Sequence, residues 1–416
     1  AIAWSLSEEE FIKRLNLFSN LKLRFSYGQT GNQAISSYQT MESLGTANYP
    51  LNGTLTSGFS GQTYKGPLNT SLRWETTDQF NVGLDFGFWK NRLNFSANYY
   101  YKKTKDLLQN VSIPLSTCYS TMWTNFGHVT NKGFEFTANV VAIDKKDWGL
   151  NFDGNISFNQ NRIGGLNADQ YATQLWYGAN EVFLQRNGLP IGTIYGYVED
   201  GFYDNIAEVR ADPIYSKVSN EEAQRMIGEI KYVDRNGDNQ ITTEDRAVIG
   251  DTNPDFIYGL NANFRWKKLS LGLFFQGSQG NDIFNGNLTM IGMNSIGNVT
   301  REAYESRWTP ENAANAKWPR ITTAMTRDMK LSDRYVEDGS YFRLKTINLN
   351  YNFGSVCKGI TDLSVFGTIT NVFTLTNYSW FDPDVNAFGS DASRRGVDIF
   401  SYPNSRTYTI GFKLTL

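Results

Sequence analysis

The segment Gln79-Phe80-Asn81-Val82-Gly83-Leu84-Asp85-Phe86-Gly87-Phe88 decides the fold, because apolar residues alternate strictly with polar or small ones. After Lys90 the alternation resumes over Leu93-Asn94-Phe95-Ser96-Ala97-Asn98-Tyr99. A period of two is typical of a β-strand with one apolar and one polar face. The two segments therefore predict a β-hairpin with a tight turn near residues 89–92.

The same period marks eight further strands along the chain. They fall near residues 21–30, 134–140, 148–158, 256–266, 269–275, 341–353, 363–373 and 407–416. Within 341–353 the phase changes between Leu344 and Ile347, which indicates a β-bulge. The sequence therefore predicts an all-β, antiparallel protein of about ten strands.

The lengths of the strands and of their connections favour a membrane barrel over a soluble sandwich. Several strands run to about 10–14 residues, whereas strands of soluble proteins centre on ~5–6 and those that cross a bilayer need ~9–11. Tight turns near 89–92, 144–147, 267–268 and 354–362 alternate with long connections near 31–70, 109–130, 164–254, 282–340 and 374–404. This alternation is typical of an outer-membrane up-and-down β-barrel with short periplasmic turns and long extracellular loops. Trp89, Trp148 and Trp266 lie beside the tight turns, where an interfacial aromatic girdle is expected.

Composition excludes several other classes of protein. Among 416 residues, 39 Lys and Arg oppose 41 Asp and Glu, so the net charge of −2 gives no electrostatic reason to bind nucleic acid. The single histidine, His128, is expected to be structural, and no zinc-ligand spacing is present. Cys118 and Cys357 are expected at opposite ends of the barrel, so they should form no disulfide.

Six short motifs, in order along the chain, resemble SusC/RagA-type TonB-dependent outer-membrane transporters. They are Ser26–Gln33, the block from Leu72 to Leu108, Asn131–Glu135, Pro254–Phe256, Arg307–Asn312 and Val336–Tyr341. The resemblance implies a 22-stranded barrel that imports oligosaccharides or peptides, with a plug domain, a TonB box and a SusD-like lipoprotein as lid. It implies energy from the TonB–ExbB–ExbD complex rather than enzymatic activity.

This chain has no plug-like region, no TonB box and too few strands for such a barrel. Residues 1–416 are therefore expected to form the C-terminal portion of one barrel domain, set in outer-membrane lipid, with the remainder of the barrel and the plug supplied elsewhere. Two alternatives stay open: a passive porin, and a secreted soluble β-rich protein that binds or cleaves glycans. The pair Asp382 and Asp384 would suit glycan cleavage, but a polar surface turn is the simpler reading, and no catalytic residue is predicted.

One motif in the 164–254 connection suggests a metal. Asp234, Asn236, Asp238, Gln240 and Asp245 occupy positions 1, 3, 5, 7 and 12 of a loop similar to EF-hand or dockerin calcium loops. Position 6 is Asn239 where glycine is expected, and position 12 is Asp where Glu is usual. The prediction is a structural Ca²⁺ ion, and the alternative is an Asx-rich turn without metal.

Aromatic residues in the long connections are candidate ligand contacts. Trp123, Trp176, Tyr177, Trp380 and Phe381 would stack on sugar rings or peptide side chains. Packing between loops or against a lid protein is the alternative. The sequence does not distinguish a glycan from a peptide as substrate.

Overall fold

The computed structural model of the chain describes residues 1–33, 41, 44–51, 54–64, 67, 69–117, 121–172, 181–291, 298–322, 330–389 and 391–416. Its main feature is one 11-stranded sheet in which each strand pairs with its neighbours in antiparallel fashion. The strands are β1 (Ile2–Ser5), β2 (Phe18–Asn32), β3 (Glu75–Phe88), β4 (Leu93–Lys105), β5 (His128–Asp144), β6 (Trp148–Gly164), β7 (Phe256–Trp266), β8 (Leu269–Gln279), β9 (Tyr341–Gly354), β10 (Asp362–Thr376) and β11 (Thr407–Thr415). The ten predicted strands are confirmed, and β1 was not predicted because four residues are too few to show a period of two.

The register gives the sheet one apolar and one polar face. Leu84 pairs with Leu23 on one side and Ala97 on the other, and the neighbouring Asp85 pairs with Lys22 and Ser96. Directly opposite residues in an antiparallel pair point to the same face, so the apolar residues of all strands form one continuous surface.

The predicted bulge is confirmed on β9. Pairing with β8 shifts between Phe274 and Phe275, and the partners on β9 jump from Thr346 to Leu344. Lys345 is the extra residue that causes this shift. The bulge keeps Leu344 and Ile347 on the same apolar face although they are three residues apart.

The two ends of the sheet differ in their connections. At the short-turn end, defined by the turns 89–92, 145–147, 267–268 and 355–361, Lys267 and the residues 89–91 adopt positive φ values that close the turns tightly. Trp89, Trp148 and Trp266 lie here and are 71%, 44% and 45% exposed. The opposite end, which we call the long-loop end, carries the connections 33–74, 106–127, 165–255, 280–340 and 377–406.

The long connections contain small sheets and short helices. Their strands are Leu44–Leu51, Thr54–Tyr64, Leu108–Ser112, Thr121–Asn125, Gln170–Ala172, Phe183–Gln185, Thr193–Gly196, Glu199–Phe202, Ile230–Tyr232, Ala247–Asp251, Asp282–Asn285, Val336–Asp338 and Val397–Asp398. Their α-helices are Ile206–Ala211, Asn220–Met226, Asn287–Ile291 and Arg301–Glu305, and a further short α-helix, Glu10–Lys13, lies between β1 and β2. The Ser219 side chain caps the helix Asn220–Met226 by accepting a hydrogen bond from the backbone N–H of Glu222.

The sheet has two edges that pair with no other described strand, one on β1 and one on β11. Within the described residues, no helix is long and apolar enough to cross a bilayer.

Candidate functional site

The polar face of the sheet carries a network of hydrogen-bonded side chains. Arg24 on β2 donates from Nε to Oδ2 and from Nη2 to Oδ1 of Asp85 on β3, both at 2.7 Å. The same Nη2 donates to Asn98 Oδ1 at 2.9 Å, and Ser96 donates to Asp85 Oδ1 at 2.6 Å. A bidentate arginine–carboxylate pair fixes both side chains. The face therefore offers hydroxyl, amide and charged groups to a polar solute or to a protein that fills the interior.

The connections at the long-loop end pack into one layer with its own core. Six buried residues from three connections form this core: Val182, Phe183 and Ile194, Phe284 and Tyr335, and Val397. A three-stranded sheet joins two of the connections, because Asp282–Asn285 pairs with both Val336–Asp338 and Val397–Asp398. We call this packed unit the loop layer. It lies at the long-loop end of the sheet.

A buried ion pair holds two of these connections together. Arg334 donates from Nη2 to Glu199 Oε2 at 2.5 Å and from Nε to Glu199 Oε1 at 3.0 Å, and the two side chains are 10% and 11% exposed. The guanidinium also lies over the Trp318 ring, with its carbon 5.2 Å from the ring centroid. Because the pair is bidentate and shielded from water, it fixes the 165–255 connection against the 280–340 connection.

A second buried arginine anchors the 377–406 connection to the sheet. Arg343 on β9 is 1% exposed, its Nε donates to Thr374 Oγ1 at 2.9 Å, and its Nη2 donates to Asp382. Nη1 has no hydrogen-bond partner among the described residues and lies 3.7 Å from Asp384 Oδ2. Asp382 and Asp384 are thus partners of a buried arginine, and the absence of a catalytic role for them stays a prediction.

A cavity of about 510 Å³ opens within the loop layer. Its walls include Glu199, Trp318, Asp333, Arg334 and Glu337. Burial raises the pKa of Asp333, and the charge of Glu199 raises it further against the opposing effect of two backbone N–H groups. The mixture of carboxylates, cations and one indole can hold a polar ligand by hydrogen bonds and stacking.

The structure places the predicted aromatic residues in separate parts of the loops. Trp123 is 37% exposed on the strand Thr121–Asn125, and its carbonyl accepts a hydrogen bond from Asn69 Nδ2 at 3.0 Å. The rings of Trp380 and Phe381 lie in an edge contact with centroids 5.2 Å apart, and Phe381 is 67% exposed. Trp176 and Tyr177 lie outside the described residues. Ligand binding by these residues stays a prediction.

The predicted calcium loop is closed by hydrogen bonds from its own backbone. Asp234 accepts from the N–H groups of Gly237 and Asn239, at 2.7 and 2.8 Å. Asp245 is fully buried, and its two oxygens accept from the N–H groups of Arg235 and Thr242, at 2.9 and 2.7 Å. Burial alone would raise the pKa of Asp245, but these backbone hydrogen bonds outweigh it and lower the pKa.

The remaining ligands of that loop also bond to one another. Asn236 Oδ1 accepts from the N–H of Asp238, and Asn236 Nδ2 donates to Asp238 Oδ2 at 3.0 Å. Gln240 donates its N–H to Asp238 Oδ1 at 2.8 Å. Within the described residues, no group of three or more His, Cys, Asp or Glu side chains could hold a metal ion. These hydrogen bonds are those of an Asx-rich turn. Binding of Ca²⁺, which takes 6–8 oxygen ligands, stays a prediction.

Two further predictions concern single residues. Cys357 is exposed in the 355–361 turn as a free thiol, and Cys118 lies outside the described residues, so their separation stays a prediction. His128 begins β5 and pairs with Gly164 and Lys105 in the sheet, and its structural role stays a prediction.

The sequence did not predict the buried ion pairs of the loop layer. Glu199 and Arg334 are 135 residues apart, and no local sequence pattern relates them. The sequence did contain one indication for Arg343. It is a charged residue within a predicted strand, next to the change of phase at Leu344, and such a position suggests a special role for its side chain.

An antiparallel sheet of long strands, with short turns at one end and long loops at the other, is the architecture of transmembrane β-barrel proteins. The sequence model of the family described as "TonB dependent receptor-like, beta-barrel" matches residues 3–372. The chain is 34% identical over 427 residues to TonB-dependent receptor P26 of Formosa agariphila, across 100% of this chain and 42% of the relative. It is 28% identical over 429 residues to TonB-dependent receptor SusC of Bacteroides thetaiotaomicron, across 100% of this chain and 39% of the relative.

The fold is similar to a chain in the structure of the RagAB peptide transporter, with a TM-score of 0.77 at 23% identity. That match covers 99% of this chain and 42% of the other. The chain belongs to the TonB-dependent receptor-like β-barrel family and is an outer-membrane protein, which confirms the SusC/RagA resemblance. This location excludes the alternative of a secreted soluble protein. The chain spans about two fifths of the length of the curated relatives it matches.

Proposed function

We propose that this chain is the C-terminal portion of the barrel of a transporter that imports a bulky nutrient across the outer membrane. The observation that carries the proposal is the sheet with two unpaired edges, on β1 and β11. Unpaired N–H and C=O groups are not tolerated in the hydrocarbon core of a bilayer. The remainder of the barrel must therefore pair with both edges, and a plug domain would lie against the polar face.

The long-loop end is assigned to the extracellular side. Long loops lie outside and short turns lie in the periplasm in bacterial barrels of this kind. This orientation puts the 164–254 connection and the rest of the loop layer on the cell surface. A SusD-like lipoprotein would rest on that layer as a lid, because its buried ion pairs and its own core make it a fixed platform.

The substrate is an oligosaccharide or a peptide. The support is the row of hydroxyl, amide and carboxylate groups on the polar face, together with the mixed charges of the cavity in the loop layer. The solved relative is a peptide transporter by its description, and that fact concerns the relative alone. Trp123, Trp380 and Phe381 are the aromatic contacts that we assign to the substrate or to the lid.

The test is uptake by cells that express the full-length protein. Labelled oligosaccharides and peptides of defined length are supplied, with and without a protonophore that removes the proton-motive force. TonB-coupled import predicts that uptake stops with the protonophore and in cells that lack TonB. Uptake that persists in both cases would establish the passive porin instead. Purification in detergent from the outer membrane should yield a surface lipoprotein together with the transporter.

A further inference from the structure

A second cavity, of about 620 Å³, lies where the apolar face meets the long-loop end. Tyr99, Phe134 and Phe158 form its apolar wall, and Lys132 and Arg162 are its two cations. The loop segment Asp251–Asp255 closes the side that faces the loop layer. This cavity is separate from the one within the loop layer, and the proposed import function makes no use of it.

The register places the cations directly beyond the last aromatic row of the apolar face. Phe134 pairs with Tyr99 and Phe158. Lys132 precedes Phe134 by two residues on β5 and therefore lies about 7 Å closer to the long-loop end. It pairs with Tyr101 and Gln160. The next row joins Thr130 to Arg162, so Arg162 is a diagonal neighbour of Lys132 on the same face. An aromatic row followed by cations marks the level where acyl chains give way to headgroups.

Both cations are exposed and make no ion pair or side-chain hydrogen bond within the described part of the chain. A nearby lysine on the same face behaves differently: Lys105 is paired with Asp78 at 2.6 Å. Neither carboxylate of the cavity, Asp251 or Asp255, forms an ion pair with Lys132 or Arg162, and Asp251 accepts hydrogen bonds from the N–H and Nδ2 of Asn253 instead. Two unpaired cations of like sign at diagonal spacing favour an anion between them.

We propose that this cavity binds the phosphate of a lipid headgroup, with the acyl chains of the lipid against Tyr99, Phe134 and Phe158. The inference rests on the orientation given with the proposed function, since that orientation places the cavity in the outer leaflet and makes a phosphorylated glycolipid its occupant. Lysine and arginine bind phosphate through charge-assisted hydrogen bonds, and basic pockets on the membrane face of a protein bind lipid headgroups. The aromatic wall distinguishes a lipid from a free anion.

The test measures the lipid retained by the full-length protein. The protein is placed in detergent micelles with diphosphorylated lipid A or with the same lipid after removal of its phosphates, and bound lipid is counted by native mass spectrometry. The double variant Lys132→Gln/Arg162→Gln should retain at least about tenfold less diphosphorylated lipid than the wild type, and the dephosphorylated lipid should be retained weakly by both. The matched control removes two exposed cations of the loops, Lys217→Gln/Arg395→Gln, and should retain lipid as the wild type does.

A third variant tests the direction of the charge effect. Asp255→Asn removes an exposed carboxylate from the cavity wall and should increase retention of the diphosphorylated lipid. Equal retention by the double variant and its control, or equal retention of both lipids, would overturn the proposal. Displacement of the lipid by inorganic phosphate at equal concentration would show a free-anion site and would also overturn it.

The double variant also separates this proposal from the proposed function. It should keep the resistance of the folded barrel to protease and should keep TonB-dependent uptake, because neither cation faces the interior. A protein that retains lipid normally but imports nothing would contradict the proposed function and leave the lipid site intact.

Discussion

The two ends of the sheet are held by interactions of different range. At the short-turn end, four turns of two to seven residues join consecutive strands, and within one of them the N–H of Lys145 donates to the carbonyl of Trp148 at 2.8 Å. At the long-loop end, Glu199 reaches Arg334 and Arg343 reaches Asp382 from distant parts of the chain. The short-turn end thus depends on local geometry and on the membrane interface, whereas the long-loop end depends on buried charge pairs.

This difference teaches where function can vary. Turns of only two to seven residues can change little in sequence or conformation, and we expect their side chains to contact lipid headgroups. The loop layer has its own core and its own ion pairs, so its surface can change while the sheet below remains the same. Each prediction below changes one end or one face of the sheet and is compared with a matched control.

The largest effect is expected at Arg343. Replacing it in Arg343→Met leaves Asp382 with only 12% of its side chain exposed and without its cation. Loss of one partner of a buried ion pair costs about 3–5 kcal/mol of unfolding free energy. We expect the 377–406 connection to detach, and limited proteolysis of the full-length protein should cut there first.

The control for this variant is Lys345→Met, which removes a cation two residues away that makes no ion pair within the described residues. It should leave the cleavage pattern unchanged. The double change Arg343→Met/Asp382→Leu should recover part of the lost stability, because it removes both buried charges. Cleavage that begins in the short turns of the Arg343 variant would contradict the division between the two ends.

A second prediction compares the two faces of one strand. Leu260 and Asn261 are neighbours near the middle of β7, on the apolar and the polar face. Leu260→Arg should lower the unfolding free energy by about 2–4 kcal/mol, because an arginine near the bilayer midplane is costly on the lipid face. Asn261→Arg should change it by much less. Urea unfolding of the full-length protein in lipid vesicles measures both, and a larger loss for Asn261→Arg would mean that the faces are assigned the wrong way round.

The sequence predicted the sheet well because the signal for a strand is local. Phe80 to Phe88 show their period within ten residues, and the Leu344–Ile347 break showed the bulge before any partner strand was known. The missing strand β1 is too short for a period and depends on pairing with β2. The Ser219 cap was also predictable, because a capping residue and its helix are adjacent in sequence.

For the candidate site, the sequence predicted which types of residue lie in the long connections, but it did not predict which of them contact one another. The loop core joins Phe183, Phe284 and Val397, and no local pattern relates residues so far apart. Ion pairs such as Glu199–Arg334 form through the packing of one connection against another. Charged residues in long connections usually face water, so the sequence alone gave no reason to select these two.

A third prediction concerns pH and is confined to the loop layer. Burial raises the pKa of Asp282, and the charges of Asp251 and Asp338 raise it further. A carboxyl whose pKa is higher in the folded than in the unfolded state favours folding below its unfolded pKa, and this contribution is lost as the pH rises through the folded pKa. Asp282→Asn should therefore stabilise the loop layer at neutral pH and lose that advantage near the ordinary pKa of 3.8.

The matched control is Asp338, which pairs directly with Asp282. Hydrogen bonds from Ser340 lower the pKa of Asp338, so its contribution is present at neutral pH and is lost as the pH falls through the folded pKa. Asp338→Asn should destabilise the layer at neutral pH. Thermal unfolding across a pH series measures both variants, and shifts of the same sign would contradict these environments.

The smallest effect is expected for calcium, at the loop that the sequence singled out. Asp234 and Asp245 already accept backbone hydrogen bonds on both of their oxygens, so the loop can hold its shape without an ion. We expect the Tm of the full-length protein to be the same in chelator and in millimolar Ca²⁺, with Mg²⁺ as the control for ionic strength. A ligand at 100 times its Kd would stabilise the folded state by about 2.7 kcal/mol, which such a measurement detects. A rise in Tm with Ca²⁺ that Asp238→Asn abolishes would instead establish the calcium site, because only an ion that draws Asp238 inward depends on that charge.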